Sequence, residues 1–185
     1  MAWMAESELE AWMMDALAAQ GFSAARGGEI APDAPGSPRT TYHDTILTVV
    51  LRDAVARLNP ELPQAAVDEV VTRVADPVFA TDIVAENRRL HGLMTRGVPV
   101  TVIVDGEERH EIARLVDWSD NANVWAAYNQ VDVVGQAARI PDVVIFLNGL
   151  PLVVVELKGL EGGSMEDAHN QIDGDDTVWE SITIA

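Results

Sequence analysis

Residues 139–158, RIPDVVIFLNGLPLVVVELK, form the most apolar segment of the chain, and Asn148-Gly149 interrupts it near the middle. Asn-Gly between two apolar runs is a strong short-range signal for a β-hairpin, because both residues tolerate the positive φ of a tight turn. Strands this apolar on both faces cannot lie at a solvated edge, so the hairpin is expected at the centre of a sheet. Any fold for this chain must therefore cover that hairpin.

The rest of the sequence supplies the cover. Trp3 to Ala19 carries Leu9, Trp12, Met13, Ala16 and Leu17 at helical spacing, and Gly21 follows as a stop. Residues 26–41, rich in Gly, Pro and Ser, read as an irregular connector. Three more helices are expected: Asp44 to Leu58, opened by a polar cap, Gln64 to Ala75 between two prolines, and Asp82 to Thr95 before Gly97. From Val98 the pattern changes. VPVTVIV, Asp105-Gly106 and RHEIARLVDW read as a hairpin, residues 126–135 as one further strand, and a weaker helix is expected near Glu166. The expected class is α+β, a mostly antiparallel or mixed sheet flanked by helices with an N-terminal helical region. A length of 185 residues suits a single domain, helical over about 1–97 and sheet-bearing over about 98–185.

Composition removes several chemistries. The chain has no cysteine, which excludes disulfide scaffolds, cysteine-ligated zinc, iron–sulfur clusters and thiol catalysis. Glu6, Glu8 and Glu10 stand near the start with no basic stretch before an apolar one, unlike a secretory signal. No uninterrupted apolar run reaches the roughly 18 residues of a membrane span, so a cytoplasmic protein is expected. No GxxxxGK[ST] occurs, so no ATP site is expected in this chain. The 12 basic and 30 acidic residues give a net charge of −18, a surface that repels polyphosphates unless a metal or partner intervenes. Eleven of the basic residues are Arg, and the one lysine is Lys158. The charge reads as a solvated acidic surface, perhaps adapted to high salt, or as imitation of DNA.

The charges of the apolar hairpin gather at its open end: Asp142, Glu156 and Lys158. Glu156 and Lys158 are two apart on a strand and so share a face. For Asp142 the turn decides. A two-residue turn would place it across from Val155, on the face away from Glu156. A three-residue loop would place it across from Val154, on the face of Glu156 and one diagonal step away, about 7–8 Å. The three-residue loop, or a bulge of the same parity, is the expectation. Two carboxylates on one face make a hard-oxygen site suited to Mg²⁺ or Mn²⁺, and a neighbouring ammonium completes a group able to hydrolyse a phosphodiester. The plainer reading is a structural Glu–Lys pair at a strand end. Arg139, close upstream, could touch a phosphate. His169 could ligate metal, although a lone helical histidine is more often a surface residue.

This arrangement resembles the PD-(D/E)xK nuclease superfamily, here Pro141-Asp142 followed by Glu156-Leu157-Lys158. NGLPLVVVELK preceded by RIPDVVIFL is similar to the signature of the N-terminal nuclease domain of type I restriction enzyme R (motor) subunits. ESELEAWMMDALAAQGF, LNPELP, ENRRLHGLMTRGVPV and NQVDVVG resemble the same family in the same order. The resemblance implies Asp142, Glu156 and Lys158 as catalytic residues, with Mg²⁺, or Mn²⁺, on Asp142 and Glu156. It implies a supporting acid from the first helix, Glu10 in preference to Glu6. It also implies a later Gln-x-x-x-Tyr helix, where Gln171 matches but Asp175 replaces the tyrosine. Duplex DNA is the implied substrate, cut without sequence preference, and the modification and specificity subunits are the implied partners. ATP is implied for the parent subunit, whose motor domains lie outside this chain, and a fragment of a longer protein is expected. An acidic DNA mimic and an inactive docking module are the alternatives.

Overall fold

A computed structural model describes residues 5–79, 82–119, 122–135 and 138–157. The order is α1 (Glu6–Ala19), β1 (Ser23–Arg26), a 3₁₀ turn (Gly27–Ile30), α2 (Thr48–Leu58), α3 (Gln64–Ala75), α4 (Ile83–Arg96), β2 (Val98–Val104), β3 (Glu107–Ala113), β4 (Trp125–Asn129), β5 (Val133–Val134), β6 (Ala138–Arg139), β7 (Val143–Leu147) and β8 (Leu150–Val155). The class is α+β, as expected. The central sheet has the order β1-β4-β7-β8 and is mixed, because β1 runs parallel to β4 while the other pairs are antiparallel. β2–β3 and β5–β6 form separate two-stranded sheets.

Helical periodicity builds the covering layer. α2 buries Leu51, Ala54, Val55 and Leu58, and α3 buries Ala66, Val67, Val70, Val71 and Val74, each a single stripe. Leu90 and Met94 of α4 join them, as do Val98, Val100 and Val102 from alternate positions of β2. This core meets the apolar hairpin through Leu147 and Leu150. A second cluster, Ile30, Leu47, Ala126, Val131, Val133, Val144 and Phe146, packs the other face of the β7 strand. β7 is covered on both sides and lies inside the sheet, but among the described residues β8 is its edge strand, with Val153 43% exposed, so the expectation of a hairpin at the sheet centre holds for β7 and is corrected for β8.

Several expectations are corrected. β1 was not anticipated. The segment 126–135 is two strands, because Gln130 turns the backbone with φ 52°. β3 ends at Ala113 rather than continuing to Trp118. α2 begins at Thr48, not Asp44. Asp44 instead organises the preceding loop by accepting from the N–H and hydroxyl groups of Thr40 and Thr41. Burial pushes its carboxyl up, but those four bonds outweigh it and hold the pKa at about 2. The expected helix near Glu166 lies outside the described residues.

The β7–β8 turn has two residues, not three: Asn148 at φ 52° and Gly149 at φ 84°. A Cβ on Gly149 would stand 2.7 Å from the Leu47 carbonyl and 2.9 Å from the Leu51 nitrogen, so the turn rests directly on the start of α2. Leu47 N–H donates to the Gly149 carbonyl at 2.9 Å. Asn148 is fully buried. Its Nδ2 donates to the Leu115 carbonyl and to Asn123 Oδ1, and its Oδ1 accepts from Val124 N–H and from Arg57. Truncation to Ala would strand several buried polar groups, each worth roughly 1–3 kcal/mol. We predict that Asn148→Ala lowers the free energy of urea unfolding by about 3 kcal/mol. A change within experimental error would show that the amide is not a structural hub.

Candidate active site

The pairing of β7 with β8 slips once. Leu147 faces Leu150 and Phe146 faces Pro151, but Ile145 faces Val153, so Leu152 is an extra residue on β8. Pro151 gives the reason: lacking an N–H, a proline within a sheet sits at an edge or at a bulge. Beyond the slip Val144 faces Val154 and Val143 faces Val155. The paired residues end there, and the same register carried one step further would bring Asp142 level with Glu156. The two-residue turn alone would have placed them on opposite faces, and the bulge restores the shared parity.

Contacts at this end of the sheet tie four segments together. Asp142 Oδ2 accepts from the Leu157 N–H at 2.6 Å, which fixes the backbone between Glu156 and Lys158. The Asp142 carbonyl accepts from the Gln130 N–H at 3.1 Å, continuing the ladder from β4 to β7 past the end of β4. From α1, Glu10 reaches the same place. Its Oε1 accepts from Asn129 Nδ2 at 2.5 Å and its Oε2 from Gln130 Nε2 at 2.6 Å. The Gln130 Nε2 also makes a long contact of 3.5 Å with Asp142 Oδ1. One amide group therefore stands between two carboxylates. Gly27 packs behind it, where a Cβ would lie 2.4 Å from the Gln130 carbonyl oxygen and 2.7 Å from that of Asn129.

Of the residues expected from sequence, Gln130 links Glu10 with Asp142, and Asp142 in turn holds the Leu157 N–H, next in the chain to Glu156. Glu6 lies in the exposed first turn of α1. Arg139, half-buried, sits on β6 across from Val133. Lys158, His169, Gln171 and Asp175 lie outside the described residues. Asn129 and Gln130 carried no expected role. Among the described residues no three acidic or histidine side chains form a metal cage. An opposed carboxylate pair still fits Mg²⁺, which keeps several waters and commonly takes only one or two protein carboxylates. Beside this end of the sheet, burial pushes the Tyr128 phenol up, and Glu29 adds to the shift, so Tyr128 stays neutral. A groove of about 550 Å³ runs alongside, lined by Glu10, Asp15, Arg26, Glu29 and Asn129 among others.

Residues 4–178 match the family described as the type I restriction enzyme R protein N terminus. The chain belongs to that family. It is 34% identical over 175 residues to the type I restriction enzyme HindI endonuclease subunit of Haemophilus influenzae, covering 91% of this chain and 16% of that protein. It is 27% identical over 159 residues to the putative type I restriction enzyme MjaIXP endonuclease subunit of Methanocaldococcus jannaschii, covering 81% and 15%. The chain spans about a sixth of the length of these curated relatives. Among the described residues no helix is long and apolar enough to cross a membrane.

The space behind Gln130 yields a prediction. Gly27→Ala places a methyl group against two backbone carbonyls that have no room to yield. It should destabilise the fold by about 1–3 kcal/mol and shift the amide resonances of Asn129 and Gln130 in a ¹⁵N spectrum. Unchanged stability and unchanged resonances would contradict the close packing.

Proposed function

We propose that the chain is the DNA-cutting part of a type I restriction endonuclease subunit, hydrolysing phosphodiester bonds of duplex DNA without reading sequence. The observation that supports this best is the hydrogen bond that straps Asp142 to the backbone one residue before Lys158, beside a register that, carried one step on, would bring Asp142 level with Glu156. This is the sole sequence position where the chain uses lysine.

Asp142 and Glu156 would hold Mg²⁺, or Mn²⁺ in its place, which when bound supplies positive charge beside a phosphoryl oxygen and a more acidic water. Lys158 would contribute an ammonium that donates to a phosphate oxygen, orients the attacking water and offsets charge growing on phosphorus-bound oxygens. Asp142 acts twice, through its carboxylate and through its hold on the Leu157 N–H, which fixes the direction in which the chain leaves β8. Glu10 adds a further carboxylate from α1. Arg139, two residues before Pro141, would contribute a phosphate contact.

The net charge of −18 is compatible with this role if DNA is delivered rather than captured. Tethering to a motor and to modification and specificity subunits gives a high local concentration that does not depend on the affinity of this part alone. ATP would be used by motor domains of the parent subunit, in the cytoplasm where such a complex meets DNA.

Nicking of supercoiled plasmid in magnesium buffer by the 185-residue chain tests the proposal. Lys158→Ala should lower the rate at least a hundredfold, since removing one transition-state donor commonly costs about 10²–10³. Its melting temperature should barely move, because an exposed strand-end charge contributes roughly 0–1 kcal/mol. A variant that nicks as fast as the parent would overturn the assignment. Inhibition of a DNA-handling enzyme, equal with and without Lys158, would instead identify an acidic DNA mimic.

A further inference from the structure

Among the described residues, three that are not glycine have positive φ: Asp105, Gln130 and Asn148. Asp105 and Asn148 each precede a glycine in a two-residue hairpin turn, where Asp and Asn are the residues expected. Gln130 is different. It follows β4 and precedes Val131, and glutamine has none of the left-handed tolerance of Asn or Gly. A non-glycine residue in that region costs on the order of 1–3 kcal/mol and persists where its surroundings overdetermine it.

Its surroundings do so. The Gln130 N–H holds the Asp142 carbonyl, its side chain holds Glu10 at 2.6 Å and reaches Asp142 at 3.5 Å, and the backbone of Gly27 closes the space behind. Packing alone holds α1 loosely, because among the described residues α1 contributes no buried residue. The helix lies on β1 and β4 with Trp12 62% exposed, and Glu10 ties it to the end of β4 through Asn129 and Gln130.

We infer that Gln130 is a positioning residue: its carboxamide sets the carboxylate of Glu10 against that of Asp142 and thereby makes α1 part of the cation site. The turned backbone at position 130 is retained because it aims this amide between the two acids. A neutral donor shared between two carboxylates eases their mutual repulsion and keeps them aligned for a cation. The inference rests on the reading of Asp142 as a metal-holding residue.

Two substitutions separate this role from a structural one. Gln130→Gly accepts the positive φ without strain, so its melting temperature should equal or exceed that of the parent. Gln130→Glu keeps size and reach but replaces the donor with a third carboxylate. Mn²⁺ binding to the 185-residue chain, followed by electron paramagnetic resonance without DNA, gives one readout, and plasmid nicking gives the other. Loss of a partner that orients a metal-holding group commonly costs about 10–100-fold in affinity or activity, and both variants should show a loss of that size in both readouts. Full Mn²⁺ affinity and full nicking in both variants would overturn the role of Gln130, provided Asp142→Ala loses both. If Asp142→Ala loses neither, or the parent binds no Mn²⁺, the reading of the site itself fails and the role of Gln130 falls with it.

Discussion

The buried carboxamide of Asn148 is the interaction on which the architecture hangs. It closes the central hairpin, satisfies the Leu115 carbonyl and the Val124 N–H, and receives Arg57 from α2. The adjoining Gly149 lies so close to the start of α2 that no side chain fits. Helical layer, hairpin and the 115–124 segment are therefore fixed relative to one turn. From that turn the two strands run outward with no freedom of register except the slip at Leu152. A one-residue change in register exchanges the faces of a strand, so whether Asp142 meets Glu156 is decided several residues away by Pro151.

Much of this was legible in the sequence. The stripes of α2 and α3 are unbroken and flanked by Pro and Asn, and α3 runs from Gln64 to Ala75 as read. The two Asx-Gly turns announce their hairpins. What failed had physical causes. β1 is Ser-Ala-Ala-Arg, with no β-branched or aromatic residue, and is a strand because β4 offers it a parallel edge. The run 126–135 looks like one strand because nothing local marks Gln130 as a turn. Asp44 resembles a helix cap but satisfies the loop before it.

At the site, the ends of the apolar hairpin pointed to Asp142 and Glu156, and their parity hung on the turn or on a bulge. Of the two expected routes, a three-residue loop or a bulge of the same parity, the structure takes the bulge, for which Pro151 in the strand is the local signal. Asn129 and Gln130 escaped because they read as part of one strand over 126–135, where polar residues ordinarily mark only a solvated face. Their significance comes from a helix some 119 and 120 positions earlier in the chain, through Glu10. Such separation cannot be read from local pattern.

The central claim is that the far end of the hairpin is a cation site. Diffraction at the manganese absorption edge from Mn²⁺-soaked crystals of the chain tests it most directly. The account predicts one anomalous peak within ligand distance, about 2.0–2.3 Å, of carboxylate oxygens of both Asp142 and Glu156. A crystal with Mn²⁺ bound elsewhere and none between these two groups would contradict it.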